Sequence, residues 1–404
     1  MSNASRIIVV GGGPAGSTAA AMLAKMGAQV TLLEKAEFPR HHVGESLQPA
    51  AFELLDLHLG LGERIAQQAY TRKYGAVYEW GDSRDRWAVL FDDRLDNDVA
   101  GLTHAELRAG GYDHSFHVAR SALDALLLDE AAACGVTIRR AEALAPIWRD
   151  GRAAGVCVRD DDGDHELAAD WVVDASGQRC LMARHLGVLS EHDDLRATAS
   201  YGYWRGCDGL GGALQRDATL IVSVPQGWVW FIPIADDWTS IGVVSDEKTK
   251  LSPERYAAIV RASGVPVSDG SLQAYEQQVL RHARNWSYVS RRTSGPGFVL
   301  VGDAAGFVDP ILSGGVDFAI RGACNAAVAI GRILDDGAAR EAAILAAYSH
   351  QLRGELTAYL RLARYWYGNN RSVDGLFWEA HRSVRADAIH TPLRAFKYLT
   401  TGRH

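Results

Sequence analysis

The sequence predicts an α/β (α+β) fold, in which a domain of βαβ units is interrupted by an antiparallel sheet and followed by a helical C-terminal segment. An apolar strand, a glycine-rich turn, a helix of small residues and a second apolar strand open the chain. Short β-rich runs broken by Gly, Pro and Asp occupy its middle, and no strand signal follows the last long helix. These patterns are typical of an α/β domain that carries an inserted sheet.

The predicted elements follow in chain order. Strands are expected at residues 7–10, 29–33, 136–140, 171–175 and 298–301, and helices at 17–25, 123–133 and 316–334. The β-rich middle contains the runs ATASYGYW, TLIVSV, WVWFIPI and TSIGVVS. We therefore predict a discontinuous cofactor-binding domain (5–70, 105–190 and 290–345), an antiparallel-sheet substrate domain (71–104 and 191–289) and a helical C-terminal segment (346–404).

The composition is that of a globular protein. Hydrophobic residues make up 48% of the 404 residues, and no apolar run approaches the roughly 18 residues of a membrane span. The five cysteines are widely spaced without a CxxC pair, and no leader pattern is visible. We therefore expect no disulfide, no metal and a cytoplasmic location. The net charge of −7 disfavours nucleic acid as a partner.

Positive charge is concentrated near the end of the chain. Residues 351–404 contain nine Lys or Arg against four Asp or Glu, although the whole chain is acidic. One interpretation is a solvated helical surface. The other is a docking face for an acidic partner.

A glycine motif follows the first strand. Gly11, Gly13 and Gly16, with Pro14 and Ala15 between them, fit the pattern G-x-G-x-x-G, and Glu34 ends the second strand. Such glycines let the backbone approach a pyrophosphate at a helix N-terminus, and the carboxylate can bond a ribose hydroxyl. The sequence therefore predicts dinucleotide binding; the alternative is a glycine-rich turn without a ligand.

A second motif indicates which dinucleotide is bound. The stretch FVLVGDAAG, with Gly302 and Asp303, resembles the second FAD motif of the glutathione-reductase-like flavoproteins, and Arg120 resembles their arginine near the FAD phosphates. The resemblance implies FAD as the cofactor on a Rossmann domain. Ser313 and Gly314 precede the last long helix, where N–H groups could form an anion site. A plain helix cap beside the flavin is the alternative.

Two further features carry a narrower resemblance. Residues 227–233 read GWVWFIP, and Lys73 is the single lysine between Lys35 and Lys248. The W-x-W-x-I-P pattern, the position of Lys73 and the preceding G-E-S at residues 44–46 resemble the flavin-dependent halogenases. Phe377 and Trp378 resemble the C-terminal region of members that act on phenols and pyrroles. The chain departs from many of those members at ILSGGV, which has one serine before the glycines, and at Ala119, where an aspartate is common.

The resemblance implies a reaction and its components. FAD used as FADH2, O2 and chloride or bromide would give hypohalous acid, which Lys73 would relay to a phenol or pyrrole. Ser313 and Gly314 would hold the halide. Trp228 and Trp230 point to the same face of their strand and would keep the substrate ring from the flavin. Pro233 would end that strand at a sheet edge. A separate NAD(P)H-dependent flavin reductase and a carrier protein that presents the ring are the implied partners.

Other functions remain open at this level. An aromatic flavin monooxygenase or an isoprenoid-type reductase would share the two nucleotide motifs, and a non-catalytic flavoprotein could serve as a scaffold. The sequence assigns no general base: Glu79 follows Lys73 at an even spacing, but a bulge would change the face on which it lies.

Overall fold

The computed structural model describes residues 4–81, 86–95, 101–235, 237–245, 250–271, 279–284, 287–368, 380, 382 and 392–402. Its helices are α1 (Pro14–Lys25), α2 (Pro49–Leu59), α3 (Gly62–Ala66), α4 (His104–Ala109), α5 (Arg120–Ala133), α6 (Leu181–His185), α7 (Pro253–Ser263), α8 (Gly315–Asp336), α9 (Glu341–Gly368) and α10 (Pro392–Thr401). Among the described residues, no helix combines the length and the apolar character that a membrane crossing needs. Phe377 and Trp378 lie outside the described residues.

The strands are β1 (Arg6–Val10), β2 (Gln29–Glu34), β3 (Thr71–Lys73), β4 (Gly75–Glu79), β5 (Arg86–Leu90), β6 (Ser115–His117), β7 (Thr137–Arg140), β8 (Glu142–Arg149), β9 (Arg152–Asp160), β10 (Gly163–Ala168), β11 (Trp171–Asp174), β12 (Leu189–Glu191), β13 (Thr198–Arg205), β14 (Ala218–Val224), β15 (Gly227–Pro233), β16 (Trp238–Ser245), β17 (Arg281–Arg284), β18 (Tyr288–Ser290), β19 (Ser294–Gly295), β20 (Phe298–Leu300) and β21 (Gly306–Phe307). Within the described parts of the chain they form five sheets, two of which position the site.

The first of these sheets carries the nucleotide motif. Its order is β19-β20-β11-β1-β2-β7, and every pair except β19 with β20 is parallel. Strand β1 lies inside the sheet, so Ile7, Ile8 and Val9 are all buried, as is usual for parallel strands covered on both faces. Helix α1 packs against both α5 and α8. The predicted α/β architecture is confirmed.

The second sheet has seven strands in the order β17-β13-β16-β15-β14-β4-β5, antiparallel except for β14 with β4. Trp228 and Trp230 of β15 face the core shared with the nucleotide sheet, whereas Val229 and Phe231 face a second core. The predicted alternation along this strand is therefore correct. The predicted sheet edge at Pro233 is wrong, because β15 is the central strand of the seven. Pro233 is tolerated because it pairs with Thr239 of β16 beyond Phe231, the last residue of the ladder with β14.

Two smaller features were not expected. Strands β8, β9 and β10 form an antiparallel meander within the predicted cofactor-binding domain. Strand β3 does not join the seven-stranded sheet but pairs with β6, so that Lys73 lies opposite Ser115. This ribbon brings together two segments that lie on either side of a predicted domain boundary.

Candidate active site

A cavity of about 620 Å³ lies between the two large sheets. The residues that follow β1, β11 and β20 form one side of it, and the face of β15 that carries the tryptophans forms another. Ligands of open α/β sheets bind outside the carboxyl ends of the strands. The cavity is therefore in the position expected for a dinucleotide.

The first glycine motif shapes the floor of this cavity. Gly11 has φ of +105°, and a Cβ there would lie 2.3 Å from the Ala175 carbonyl oxygen. A Cβ on Gly16 would lie 1.8 Å from the Gly11 oxygen. Helix α1 begins at Pro14, and the residue before it, Gly13, has no side chain to cap the helix. The N–H groups of its first turn therefore point at the cavity as an anion site.

Glu34 lies at the far edge of the same floor. Its Oε2 accepts a hydrogen bond from the Gly12 N–H and its Oε1 accepts one from the Ala36 N–H, each at 2.8 Å. The backbone thus fixes the carboxylate against the glycine turn, where it lines the cavity. Each oxygen still has a lone pair for a ribose hydroxyl.

Arg120 and Asp303 lie on the cavity wall. The Arg120 guanidinium is almost fully buried and donates to Asp124 (Nε to Oδ1, 2.8 Å) and to the Val43 carbonyl at 2.7 Å. Burial raises the pKa of Asp303 to about 6, and the charge of Arg120 opposes that shift. Asp124 was not among the predicted site residues, although its position one helical turn after Arg120 is the spacing of an i,i+4 pair.

The turn before α8 holds the predicted halide residues. Ser313 has φ of +55° and lines the cavity, as does Gly315. A Cβ on Gly314 would lie 2.8 Å from the Tyr359 ring, so this position needs glycine. The expectation of free N–H groups is wrong at Ser313, because its N–H donates to the Pro310 carbonyl at 2.9 Å.

The two tryptophans of β15 also line the cavity, and other side chains fix both indoles. Trp230 donates from Nε1 to Ser240 Oγ at 3.2 Å and lies over Gly242, where a Cβ would be 2.1 Å from its ring. Trp228 donates from Nε1 to the Tyr367 hydroxyl at 2.7 Å. The ring centroids of the two indoles are 5.9 Å apart.

The bond to Tyr367 continues to the turn before α8. The Tyr367 hydroxyl donates to Asp309 Oδ2 at 3.1 Å, and Asp309 caps the turn that leads to Ser313 by accepting from the Ile311 N–H at 2.9 Å. Tyr367 also lines a second cavity of about 720 Å³, beside Trp80 and Trp366. Sequence reasoning missed Tyr367 and Asp309, because their sequence neighbours do not indicate that they meet.

Lys73 is 2% exposed and is not among the residues that line the first cavity. Its Nζ donates to the Leu47 carbonyl at 3.0 Å and lies 5.1 Å from the centre of the Phe91 ring. Burial lowers the pKa of Lys73 to about 7. Glu79 does not share this site, since its carboxylate accepts from Arg86 Nε at 2.7 Å.

Residues 4–361 match the family described as FAD binding domain. The tryptophan 2-halogenase of Chondromyces crocatus is 33% identical over 391 residues, which cover 94% of this chain and 71% of that protein. The chain belongs to the flavin-dependent halogenases.

Other relatives of this halogenase agree with that assignment. The 1H-pyrrole-2-carbonyl-(peptidyl-carrier protein) chlorinase of Pseudomonas fluorescens is 33% identical over 351 residues, or 81% of this chain and 75% of that protein. The structure of the myxobacterial chondrochloren halogenase superposes with a TM-score of 0.80 at 26% identity and covers 99% of this chain and 97% of that one. The predicted family is confirmed, and the enzyme is an FAD-binding oxidoreductase.

The residues present in the halogenase fit FAD. Gly11 and Gly13 at the start of α1, Glu34 and Arg120 all border one cavity. The indoles of Trp228 and Trp230 form another side of this cavity. No group of three or more His, Cys, Asp or Glu side chains in the described parts of the chain could hold a metal ion. Neither His117 nor Thr219 was predicted; they lie 102 positions apart in the chain, and His117 Nε2 is 3.0 Å from Thr219 Oγ1.

Proposed function

We propose that this halogenase chlorinates or brominates an electron-rich aromatic ring, a phenol or a pyrrole, and that Lys73 carries the halogen to it. The observation that carries the proposal is the buried amine of Lys73, whose pKa burial lowers to about 7. An amine with this pKa is about half unprotonated at neutral pH, so its lone pair is available as a nucleophile.

Gly11, Glu34 and Arg120 would hold FAD. Used as FADH2, the cofactor would activate O2, and O2 would supply the oxidising equivalents that convert a halide into hypohalous acid. Ser313 and Gly314 hold the halide at the start of α8, at the edge of the cavity. Trp228 and Trp230 exclude the substrate ring from that cavity because their indoles are fixed by hydrogen bonds. Only a small oxidant therefore passes from the cavity to Lys73.

The transfer at Lys73 takes two steps. The neutral amine attacks the halogen, so that an N–halogen bond forms, the O–halogen bond breaks, and an N–H proton converts the departing hydroxide into water. The aromatic ring then attacks the halogen, so that a C–halogen bond forms as the N–halogen bond breaks. The ring loses a proton to recover its aromaticity, and the amine regains one.

The test is an incubation of the halogenase with FAD, an NAD(P)H-dependent flavin reductase, NADH and chloride or bromide. Free and carrier-bound phenols and pyrroles serve as substrates, and the isotope pattern of the product identifies the halogen. We expect halogenated product from the wild type and none from Lys73→Ala, which should still oxidise FADH2. A hydroxylated ring without halogen, or full halogenation by Lys73→Ala, would contradict the proposal.

We also propose that the basic C-terminal segment docks a carrier protein that presents the ring. The name of the pyrrole chlorinase relative supports this, since it includes a peptidyl-carrier protein. Arg364 is already paired with Asp194 (Nε to Oδ2, 2.6 Å), and Arg371 lies outside the described residues.

Charge reversal of Arg361, Arg364 and Arg371 tests this docking. The variant should raise the KM for a carrier-bound ring at least several-fold while the KM for the free ring stays the same. Arg332→Glu, an exposed position on α8, is the control for a general charge effect. An unchanged KM for the carrier-bound ring would exclude this surface.

A further inference from the structure

Two consecutive residues before helix α2 contact both the lysine and the turn before α8. They are Leu47 and Gln48, and both are buried. The Leu47 carbonyl accepts the hydrogen bond of Lys73 Nζ at 3.0 Å. Gln48 Nε2 donates to the Leu312 carbonyl at 2.8 Å, across 264 positions of the chain. Since Leu312 immediately precedes Ser313, the Gln48 side chain reaches the turn to which the halide is assigned.

The Gln48 side chain does not serve the helix that it precedes. A residue in this position normally uses a short polar side chain to bond the free N–H groups of the first turn. Gln48 makes no such capping bond. Its amide is fully buried and bonds the Leu312 carbonyl instead. The observed contact therefore supports the turn before α8 rather than the start of α2.

The same side chain acts on the aromatic residue that packs against the turn. Burial raises the pKa of the Tyr359 hydroxyl above its ordinary value, and a hydrogen bond with the Gln48 side chain opposes that rise. The Tyr359 ring is the group that a Cβ on Gly314 would meet at 2.8 Å. Gln48 thus acts on the carbonyl before Ser313 and on the residue beside Gly314.

The turn needs support because part of its backbone is strained. Ser313 has φ of +55°, a conformation that residues other than glycine rarely adopt and that persists only where the surroundings enforce it. Asp309 fixes the start of the turn by accepting from the Ile311 N–H. Gln48 fixes its end at Leu312. Helix α2 also packs against α8, so Gln48 and the turn precede two helices that are in contact.

We propose that Gln48 is a positioning residue for the halide, because it holds Ser313 and Gly314 in the conformation that binds the anion. The inference rests on the proposed function, which assigns the halide to these two residues. An anion at a helix start is bound by backbone N–H groups, whose directions follow from the backbone angles. Without the amide, the buried Leu312 carbonyl loses this donor, and the turn shifts to regain one.

This role affects halide binding and leaves the other parts of the site in place. Gln48 lines neither of the two cavities, so its replacement removes no contact with a ligand in them. Lys73 bonds the Leu47 carbonyl, a backbone atom that a change of the Gln48 side chain does not remove. The expected loss is therefore confined to the affinity for the halide.

Chloride binding to the FAD-bound protein tests this role without turnover. Line broadening of the ³⁵Cl NMR signal gives the Kd, and Gly314→Ala, whose Cβ would strike the Tyr359 ring, gives the background. Gln48→Met keeps the length of the side chain but removes its N–H donors, and we expect it to raise the Kd for chloride about fivefold to tenfold. The FAD affinity and the pKa of Lys73 should not change. Gln67→Met, the same replacement at an exposed position, should leave the Kd for chloride unchanged.

A second variant, Gln48→Glu, keeps the shape of the side chain. As the new carboxyl group ionises between about pH 6 and about pH 9, it loses its donor and brings a negative charge to the turn. The Kd for chloride should therefore rise with pH more steeply in Gln48→Glu than in the wild type.

A Kd in Gln48→Met equal to that of the wild type would overturn the positioning role, as would a Kd in Gln48→Glu that follows the wild type at every pH. Failure of the proposed function gives a different result. A wild type that binds no chloride above the Gly314→Ala background would remove the halide site, and the role of Gln48 with it. Halogenation that survives in Lys73→Ala would remove only the role of the amine and leave the chloride result unaffected.

Discussion

At the residue scale, the burial of the Lys73 amine has a cost in stability. The folded protein holds its pKa at about 7, whereas the unfolded chain keeps the ordinary value of 10.5. Between these values the unfolded chain binds a proton that the folded protein does not, so stability rises with pH in this window. Below pH 7 the full cost of burying the charge is present.

We therefore expect Lys73→Met to be more stable than the wild type at pH 7, on the order of a few kcal/mol in the free energy of unfolding. The difference should shrink as the pH is raised towards 10.5. Denaturant unfolding at several pH values measures it. Lys25→Met is the control, because Lys25 is exposed and its replacement relieves no burial. A stability gain that does not change with pH would contradict the low pKa.

The sequence indicated Lys73 but not its surroundings. Lys73 could be identified because it is a single lysine in a chain rich in arginine and because its position resembles that of the family lysine. Its burial could not be inferred, since a three-residue strand has no periodicity. His117 and Thr219 lie 102 positions apart, and only the pairing of β3 with β6 and the packing of β14 bring them to Lys73. Tertiary contacts of this kind leave no local signal.

At the element scale, β15 and β16 show how a strand pair fixes an indole. Trp230 lies directly opposite Gly242, and the absence of a side chain there leaves room for its ring. Gly242→Ala should displace the ring and destabilise the protein by about 1–3 kcal/mol. It should also lower the yield of halogenated product per FADH2 oxidised, because the displaced Trp230 ring would no longer separate the cavity from the substrate.

Thermal unfolding and product yield measure these effects. Gly354→Ala on α9 is the matched control, since a Cβ there meets nothing within 4 Å. Unchanged stability and yield in Gly242→Ala would show that the Trp230 indole is an ordinary packed side chain and not a barrier.

The hydrogen bonds that run from Trp228 through Tyr367 to Asp309 lead to another prediction at the element scale. Tyr367→Phe removes the hydroxyl that joins β15 to the turn before α8, leaving the Trp228 N–H without its acceptor. We expect the KM for halide to rise several-fold with little change in FAD affinity. Tyr365→Phe, two residues earlier on α9, should change neither. Equal halide KM values in the two variants would show that the connection does not act on the halide site.

The strand pattern of GWVWFIP predicted both faces of β15 correctly, because side-chain alternation is a property of any strand. Its place at the centre of the sheet was not predictable, since the order of strands depends on long-range pairing. The β8 to β10 meander was missed even though it has turn signals at Asp150-Gly151 and Asp162-Gly163. Pro146 within β8 obscures its strand pattern.

At the scale of the whole molecule, the C-terminal helix completes the main core. Phe396 and Leu399 of α10 are fully buried, and the Leu399 carbonyl accepts from the Tyr359 hydroxyl at 2.7 Å. The Gly402 carbonyl accepts from Arg321 on α8, the helix that begins beside Ser313. Helix α10 and Gly402 thus support the helix that borders the first cavity.

Deletion of residues 392–404 should therefore reduce the free energy of unfolding by about 3–6 kcal/mol, from the exposure of two large apolar side chains. FAD should also bind more weakly, because α8 loses its support. Differential scanning calorimetry and fluorescence titration with FAD measure the two effects. An unchanged melting temperature would show that α10 is dispensable to the fold.

Tyr367 belongs to two environments, since its ring borders the second cavity while its hydroxyl bonds Asp309 at the turn before Ser313. A ring bound in the second cavity that shifts this tyrosine would change the free energy of halide binding at the turn. Thermodynamic linkage makes such an effect mutual, so halide would change the affinity for the ring by the same factor. The order in which halide and ring bind would then affect how much oxidant is lost before transfer.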